Sequence, residues 1–547
     1  MSLAASKPLR DFLTPLRATD PQLYDVACSF SNVFRELASS SEDDSLFSPV
    51  PVTHLPSGRE CGRFLAVDVG ITTLKVAFID LLGETAMRSR SMSNMIRKAR
   101  HSRVRRTLEK AWRIEERLKH DQPHELFLWI GNCIAEVVKD DLLSNASSEH
   151  PPSHIETGIA FSLPIKQDSL EEATLMQTGK GFTISSDLDL RNSILQGYER
   201  HTQRRDDEER AAKRQRHFVL PQLKITALTN DAVATLLSLS YSIKSYPNSR
   251  VAMGIVLDEG CNATIPMILS DLHPSKTRHI TAQDPDAAQT LVSTEWTLRG
   301  AASPLYDHGI ITKWDLQLDS QSAKPGFQPL EYMTGGRYIG ELIRIICHDY
   351  FTSILGISDR SLPTNLVVPY ALRADFIIDI MSNYPSTTTL SECLNRNLPP
   401  PSSSGWTWTA KTANVLREIV QAVQTRSAAL VAAATVALLA SNHEVSLRDP
   451  ATPLKNELLS CSPSKSFHEI TFGSRPDWHG GPEELVVACI GGVIQHYPKF
   501  IENCQRYIDR LVIQGGPQDG GKSVFLREAN DGVIIGAGVL AGMVGRD

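Results

Sequence analysis

One stretch constrains the fold of this chain more than any other: FLAVDVGITTLKVAFIDLLG, at residues 64–83. Two apolar runs rich in β-branched residues flank the short turn at 70–73, which predicts a β-hairpin. Such a turn binds phosphate through backbone N–H groups when its backbone comes close and adopts positive φ. A strand–turn–strand order excludes the P-loop and the dinucleotide-binding fold, where a glycine-rich loop joins a strand to a helix.

A second stretch of this kind, VAMGIVLDEGCNATIPMIL at residues 251–269, follows about 190 residues after the first. At 547 residues the chain is long for one domain, so two or more compact units are expected. Two hairpins of one type predict a duplicated β-rich core, divided between two lobes with a cleft between them.

The composition is that of a soluble globular protein, with 41% hydrophobic residues, 22% charged residues and a net charge of −6. Overall charge therefore excludes general polyanion binding. The nine cysteines form no CxxC pair and no metal-ligand spacing, which favours reduced thiols in an intracellular protein. The apolar run at 427–440, about 14 residues long, is too short to span a bilayer and predicts a buried alanine-rich helix.

A basic stretch stands out locally, with six Lys or Arg residues between positions 97 and 106. The sequence TLEKAWRIEERLK that follows, at 107–119, is helical in period. The basic stretch is interpreted as a solvated face, as an import signal together with KRQR at 213–216, or as a patch for an acidic partner. No helix-turn-helix or zinc motif accompanies it, so direct nucleic-acid binding is not expected.

Six blocks in order resemble the eukaryotic hexokinase family, from about residue 60 to the end of the chain. They are FSLP at 161, GKGF at 179, LTNDAVATLLS at 228, STEW at 293, YDHGIITKWDLQLDSQSAKPGFQPLEYMTGGRYIGEL from 306, and HYPKF at 496. The resemblance implies an α/β fold of the actin-like ATPase (ribonuclease H-like) type. In that fold a small and a large lobe close on a hexose, with Mg-ATP bound across the cleft.

The resemblance also implies the domain boundaries. Residues 62–228 form the small lobe and residues 229–532 the large lobe. The N-terminal segment 1–61 belongs to the large lobe, and the C-terminal segment 533–547 packs back on the small lobe. An ATP:hexose 6-phosphotransferase of this family needs a general base at the sugar 6-hydroxyl and a clamp for the triphosphate.

On the sugar side, the resemblance assigns catalytic roles to Asp231, as the base, and to Lys180. It assigns hexose contacts to these side chains: Ser162, Asn230, Asn262, Glu295 and Glu331. Gly179 and Ser293 replace a Thr and an Asn of the family, and each loses about 0.5–1.5 kcal/mol of polar contact. Hexose binding is thus expected to be weakened but retained. Taken alone, Asp231 after Asn230 also fits a helix cap.

The first phosphate turn departs from the family sequence DLGGTN. The turn keeps three family residues: Asp68, Gly70 and Thr72. Ile71 replaces a Gly and Thr73 replaces an Asn. Lys75 stands where the family has Arg, which keeps the charge but loses the bidentate guanidinium.

In the second turn the family sequence GTGxN reads DEGCN, so Asp258 and Glu259 precede Gly260. A carboxylate about 4 Å from a phosphate charge is repelled by about 4 kcal/mol at an effective dielectric constant of about 20, or about a thousandfold in affinity. Two other interpretations stay open: Glu259 points away from the cleft, or it holds a metal ion with Asp258.

The last two nucleotide segments also lose polar groups. The family sequence DGSxY reads IGGVI, with Ile490 and Gly492 in place of Asp and Ser. DGSGxGAA reads DGVIIGAG, with Val533 and Ile534 in place of Ser and Gly. The glycines kept in these segments are Gly491 and Gly536. Because all four nucleotide segments are altered, we expect tight Mg-ATP binding to be lost.

The favoured hypothesis is a protein similar to the atypical fungal hexokinase-like proteins. It retains a hexose cleft, has little or no kinase activity, and acts as a regulator or sensor in carbon-source signalling, with a protein partner and a nuclear or cytoplasmic location. The rival is an active ATP-dependent hexokinase. A third hypothesis is a scaffold that binds neither ligand.

Overall fold

Each predicted hairpin lies at the centre of a β-sheet, and the two sheets organise two lobes. A computed structural model describes residues 7–83, 103–120, 122–144, 152–176, 188–202, 219–243, 248–448 and 483–544. In chain order the strands are β1 (Ser48–Val50), β2 (Cys61–Val69), β3 (Thr73–Leu82), β4 (Val104–Arg113), β5 (His154–Phe161), β6 (Ile165–Lys166), β7 (Thr174–Leu175), β8 (Gln222–Asn230), β9 (Ser249–Leu257), β10 (Cys261–Ile268), β11 (Gln289–Ser293), β12 (Glu484–Ile490) and β13 (Ser523–Glu528).

The α-helices are interspersed with these strands. In chain order they are α1 (Lys7–Phe12), α2 (Asp20–Ser39), α3 (Glu116–His120), α4 (Pro123–Ser144), α5 (Leu190–Glu199), α6 (Asp231–Ile243), α7 (Pro274–Gln283), α8 (Pro304–Asp307), α9 (Lys313–Ser320), α10 (Pro329–Thr334), α11 (Gly336–Asp349), α12 (Thr364–Val367), α13 (Ala374–Asn383), α14 (Thr387–Asn397), α15 (Ala410–Ser441), α16 (Gly492–His496), α17 (Phe500–Gln514) and α18 (Gly532–Val544).

The small-lobe sheet has the strand order β4-β3-β2-β5-β8. β2 and β3 pair antiparallel, with Asp68 opposite Lys75, which confirms the first predicted hairpin. β5 lies parallel to both β2 and β8. The last paired residues join Val69 to Phe161 and Phe161 to Asn230. The first turn and the residues after β5 and β8 therefore lie side by side at the carboxyl edge of the sheet, where ligands bind in α/β folds.

The large-lobe sheet has the order β1-β11-β10-β9-β12-β13. Leu257 lies opposite Cys261 in the antiparallel pair of β9 and β10, which confirms the second predicted hairpin. β12 is parallel to β9, with Ile490 opposite Val256. This register places the residues that follow β12, beginning with Gly491, beside the second turn.

A separate hydrophobic core fills each lobe. The large-lobe core contains α2 and α15, and the small-lobe core contains the inner face of its sheet with α4 and α5. Helix α15 is apolar and long enough to cross a membrane. However, 89% of its most apolar 18-residue segment is buried inside the protein, so it is a core helix, as the alanine-rich run predicts. Most cysteines in the described part of the chain are buried as well.

A third core lies where helices α6 and α18 pack against each other and against both sheets. Gly536 makes the closest helix approach, because a Cβ at this position would lie 1.8 Å from the carbonyl oxygen of Ala234. Any larger residue would push the helices apart. Helix α18 also contacts β2, β3 and β5 of the small-lobe sheet.

The segment that follows the basic stretch differs from the prediction. Residues 107–113 belong to strand β4, and helix appears only at α3, so a helix over the whole of 107–119 is wrong. β4 forms a ladder with β3, which contains a register shift, and Leu108 has a φ of 52°. Pairing with a neighbouring strand overrides the local helical period.

Some predicted features lie outside the described residues. They are Gly179, Lys180, the basic positions 97–102 and the KRQR sequence at 213–216.

Candidate active site

A cleft of about 350 Å³ separates the lobes at the carboxyl edges of the two sheets. Its walls are the β2–β3 turn, the residues after β5 and β8, the β9–β10 turn, and the start of α16. Most of the predicted site residues line it: Asp68, Gly70, Thr72, Lys75, Ser162, Asn230, Asp231, Gly260, Asn262, Glu295 and Gly491. The strand order thus brings together residues that are far apart in sequence.

At the sugar side, a hydrogen-bond network centres on the hydroxyl of Ser293. Asn230 Nδ2 donates to Ser293 Oγ at 3.0 Å, and Ser293 Oγ donates to Glu295 Oε1 at 3.2 Å. Asn262 Nδ2 also donates to Glu295 Oε1, at 2.6 Å. The backbone N–H of Glu295 donates to Asn262 Oδ1 at 3.1 Å, and Glu295 has a φ of 47°. Because each polar group is held by another, these side chains have fixed orientations before a ligand binds.

Asp231 lies at the first position of α6 and lines the cleft. Asn230 Oδ1 accepts the N–H of Val233 at 2.8 Å, which satisfies one of the open donors at the start of the helix. The capping bond is thus made by Asn230, and Asp231 stands at the cleft wall as the resemblance implies.

Glu331 and Gly536 are the two predicted residues in the described chain that do not line the cleft. Glu331 is 2% exposed, and its Oε2 accepts the N–H of Cys261 at 3.2 Å. Gln328 Nε2 donates to Glu331 Oε1 at 2.5 Å. Glu331 therefore supports β10, the strand that contains Asn262, and does not itself line the cleft. Gly536 lies inside α18, where it packs against α6.

At the phosphate side, Ile71 lines the cleft but is largely buried. It is 6% exposed and belongs to the small-lobe core, which also contains Ile114 and Leu118. The N–H of Ile114 donates to the carbonyl oxygen of Thr72 at 2.8 Å. The isoleucine and this bond tie the first turn to the segment that leads into α3. The hairpin is thus retained, and the buried side chain of Ile71 anchors its turn.

The second turn holds a carboxylate against the start of α16. Asp258 Oδ1 accepts the N–H of Gly492 at 2.8 Å. A Cβ at Gly492 would lie 2.9 Å from that oxygen, so the glycine leaves room for the carboxylate. Gly491 has a φ of 125°, and a Cβ there would lie 2.2 Å from the carbonyl oxygen of Leu257. Because Gly491 and Gly492 have no Cβ, the end of β12 lies close to the second turn. The Asp258 carboxylate occupies the space that a side chain at 492 would take.

Acidic groups dominate the electrostatics of this side. Burial, opposed by the charge of Lys75 and assisted by the charges of Asp231, Asp258 and Asp531, raises the pKa of Asp68 to about 7. Burial also raises the pKa of Glu259, with the charge of Asp258 acting in the same direction. The Gly492 N–H does not fit a phosphate oxygen of Mg-ATP in this arrangement, because the Asp258 carboxylate already accepts it.

Lys75 is the one Lys or Arg among the described residues that line the cleft. Its Nζ lies 3.6 Å from Asp531 Oδ1, and Arg106 approaches Asp531 Oδ2 at 2.8 Å. Asp531 has a φ of 52° at the turn before α18. The carboxylate of Asp531 thus pairs with Lys75 as well as with Arg106. Within the described residues, no group of three or more His, Cys, Asp or Glu is arranged to hold a metal ion.

Gln495 and His496 line the cleft from α16, although they are not among the residues that the resemblance assigns to the site. The period of residues 495–512 predicts one amphipathic helix, whereas the structure has α16 and α17 with a break between them. Pro498 is the signal that marks this break, because proline disrupts a helix interior.

Known hexokinases are similar to this chain over most of its length. Two family models, both described as hexokinase, match residues 8–241 and 252–543. Hexokinase-7 from Oryza sativa subsp. japonica is 25% identical over 503 residues, which cover 90% of this chain and 86% of the relative. Glucokinase-1 from Saccharomyces cerevisiae is 25% identical over 516 residues, with coverage of 90% and 86%. A solved hexokinase from Schistosoma mansoni complexed with glucose aligns over 98% of both chains, with a TM-score of 0.69 and 21% identity.

The paired sheets and the cleft define a two-lobed α/β protein of the actin-like fold. Within that class, the chain belongs to the eukaryotic hexokinase family, because the two family models together span nearly its whole length.

Proposed function

We propose that this protein binds a glucose-like hexose in the cleft, transfers phosphate from ATP weakly or not at all, and acts as a sugar-responsive regulator in carbon signalling. The observation that carries the proposal is the bond from the Gly492 N–H to Asp258 Oδ1, at 2.8 Å. A carboxylate in this position competes directly with a phosphate oxygen for the same donor and repels its charge.

The sugar side supports the binding part of the proposal. Asn230, Asn262 and Glu295 are linked through Ser293 and open onto the same cleft as Ser162 and Asp231. These groups offer donors and acceptors of the kind that recognise several hydroxyls of a sugar. A cleft that binds sugar between lobes responds by closing, which changes the surface offered to a partner.

The regulatory part rests on the resemblance to atypical family members and on the basic stretch at 97–106. Of that stretch the structure describes Arg103, Arg105 and Arg106, of which Arg105 is the most exposed, with 69% of its side chain accessible. We propose that the stretch serves as an import signal or as a contact for an acidic protein partner. A fluorescent fusion with and without Ala at these three positions tests the location.

An active ATP-dependent hexokinase is the second candidate. Asp231 in the cleft favours it, as do Asp68, Thr72 and Lys75, which remain in the first turn. The relatives in rice and yeast are themselves named as a hexokinase and a glucokinase.

A coupled glucose-phosphorylation assay on the purified protein decides between the candidates. The proposal predicts a turnover far below about 1 s⁻¹, the lower end of the ordinary enzyme range. Turnover at or above that rate would establish the active kinase. Absence of glucose binding at millimolar concentration in calorimetry would instead favour a scaffold that binds neither ligand.

A further inference from the structure

We propose that Ser293 is a positioning residue of the hexose site, which sets sugar selectivity through Asn230, Asn262 and Glu295 without touching the sugar. The inference rests on the proposed function, because it concerns how the cleft recognises a hexose. Ser293 is the last residue of β11 and is 5% exposed. It is not among the described residues that line the cleft, whereas its three partners are. Its effect on a ligand therefore passes through them.

The hydroxyl of Ser293 uses its full hydrogen-bonding capacity inside the protein. Asn230 Nδ2 donates to Ser293 Oγ at 3.0 Å, and Asn262 Nδ2 donates to the same oxygen at 3.3 Å. Ser293 Oγ in turn donates to Glu295 Oε1 at 3.2 Å. Because a serine hydroxyl has one hydrogen and two lone pairs, these three bonds leave no position for a sugar hydroxyl.

Backbone donors fix the orientation of both asparagine amides. Asn262 Oδ1 accepts the N–H groups of Ala263 at 2.8 Å and of Glu295 at 3.1 Å. Asn230 Oδ1 accepts the N–H of Val233 at 2.8 Å. A backbone N–H can only donate, so the amide oxygens face these groups and both Nδ2 atoms face the shared serine hydroxyl. The direction of each bond to that hydroxyl is thereby fixed.

The network joins three elements that meet at the cleft. Asn230 ends β8 of the small-lobe sheet, Asn262 lies in β10 of the large-lobe sheet, and Glu295 follows β11. Ser293 is held between them by its pairing with Thr264 of β10. Glu295 has a φ of 47°, which non-glycine residues rarely adopt, so its placement depends on its bonded neighbours. Loss of the one hydroxyl therefore loosens two amides and a carboxylate together.

This arrangement gives the serine a role that a direct sugar contact would not have. A residue that contacts one sugar hydroxyl affects the recognition of that hydroxyl alone. Ser293 positions three groups, so its removal relaxes the recognition of several hydroxyls at once. An asparagine at 293, as in the family sequence, has no side-chain atom that both donates and accepts. The serine thus organises the site and is more than a lost contact.

Calorimetry without nucleotide tests the proposal, with glucose and each of its monodeoxy derivatives as ligands. The penalty for a missing hydroxyl is the ratio of the Kd of the deoxy derivative to that of glucose. The wild-type protein is compared with Ser293→Ala and with Ser293→Thr, which keeps a hydroxyl. Ser441→Ala is the matched control, because Ser441 is 3% exposed and its hydroxyl donates to the carbonyl oxygen of Leu438 within α15.

We expect Ser293→Ala to weaken glucose binding about tenfold. The same variant should reduce the penalties for at least two different hydroxyls from about tenfold to about threefold. Ser293→Thr should keep penalties close to those of the wild type, and Ser441→Ala should change neither affinity nor penalties. Two outcomes overturn the proposal. Ser293→Ala relaxes the penalty for one hydroxyl only, which indicates a direct contact, or it leaves every penalty at the wild-type value.

A wild-type protein that binds none of these sugars would defeat the proposed function. The positioning of the side chains is then decided in the free protein, by urea unfolding of Ser293→Ala, Glu295→Gln and the double variant. Both substitutions alter the same hydrogen bond, so their effects on the free energy of unfolding should be non-additive. Additive effects would show that Ser293 does not hold Glu295.

Discussion

The two halves of the cleft differ in the groups that they present. On the sugar side, Asn230, Asn262 and Glu295 hold one another through hydrogen bonds, and Ser293 completes the network despite its shorter side chain. On the phosphate side, the Asp258 carboxylate accepts the backbone N–H of Gly492 at the start of α16. One half is a connected hydrogen-bond network, whereas in the other a carboxylate of the protein occupies a backbone donor.

Under the proposed function, an added charge weakens a binding site more than a removed hydrogen bond does. A missing contact costs about 0.5–1.5 kcal/mol, and water can replace it. A carboxylate near a phosphate costs about 4 kcal/mol at 4 Å and an effective dielectric constant of about 20, and no solvent rearrangement removes its charge.

The largest expected effect is the recovery of nucleotide binding when both carboxylates of the second turn are removed. The double variant Asp258→Gly with Glu259→Thr should raise the affinity for Mg-ATP at least about a hundredfold, because the repulsion disappears and the Gly492 N–H is available. Isothermal titration measures this, with glucose titrations as the check that the sugar side is unchanged. If Mg-ATP binding does not improve, the loss lies deeper than these two charges.

The variant Gly492→Ser tests whether positions 258 and 492 act together on nucleotide binding. In the wild-type background the new Cβ would lie 2.9 Å from Asp258 Oδ1, so this change alone should not help nucleotide binding and should disturb the turn. Together with Asp258→Gly it should add a hydroxyl donor for phosphate. Equal effects of Gly492→Ser in the two backgrounds would contradict the coupling of these two positions.

The next largest effect falls on the sugar side. Glu295→Ala removes the charged acceptor of Asn262 Nδ2 and should weaken glucose binding about a hundredfold, since a charged hydrogen-bond partner contributes about 1.5–3 kcal/mol. Calorimetry with glucose measures it, and Glu136→Ala, an exposed carboxylate paired with Lys110, is the control. Unchanged glucose affinity would show that the sugar does not use this network.

A pH dependence follows from Asp68, whose pKa burial raises from 3.8 to about 7. Between pH of about 4 and about 7 the folded state binds more protons at this group than the unfolded state, so stability falls as the pH rises through this window. Asp68→Asn removes that loss. We expect the variant to gain about 2 kcal/mol relative to wild type between pH of about 5 and about 8, as measured by urea unfolding. Parallel pH profiles for the two proteins would mean that Asp68 is not held neutral.

The smallest expected effect concerns Asp531. Adding Asp531→Asn to the variant without the second-turn carboxylates frees Lys75 from a pair whose partners are about one-third exposed, and surface pairs contribute only about 0–1 kcal/mol. Mg-ATP affinity should rise about twofold. A gain larger than that from removing Asp258 and Glu259 would reverse the ranking of the obstacles.

The sequence was sufficient to predict the hairpins and the residues at their turns. Alternating β-branched residues around a short turn are a local signal, and Asp231 was placed at a helix start by the pattern of the following residues. The strand at 107–113 could not be predicted from the local sequence, because β4 forms by pairing with β3. Local period alone could not reveal that partner.

The candidate site was predicted less completely. The charge of Asp258 was evident from the sequence, but its bond to Gly492 depends on the parallel register of β9 and β12. Ile71 stands in a phosphate turn by sequence, and only the tertiary structure shows that it is buried in the small-lobe core at the wall of the cleft.

Parallel calorimetric titrations of the wild-type protein with glucose and with Mg-ATP test the central claim most directly. The account predicts saturable glucose binding at millimolar concentration or below and no saturable binding of Mg-ATP over the same range, in the presence or absence of glucose. Saturable Mg-ATP binding at submillimolar concentration would contradict it, because the second-turn carboxylates would then not exclude the nucleotide.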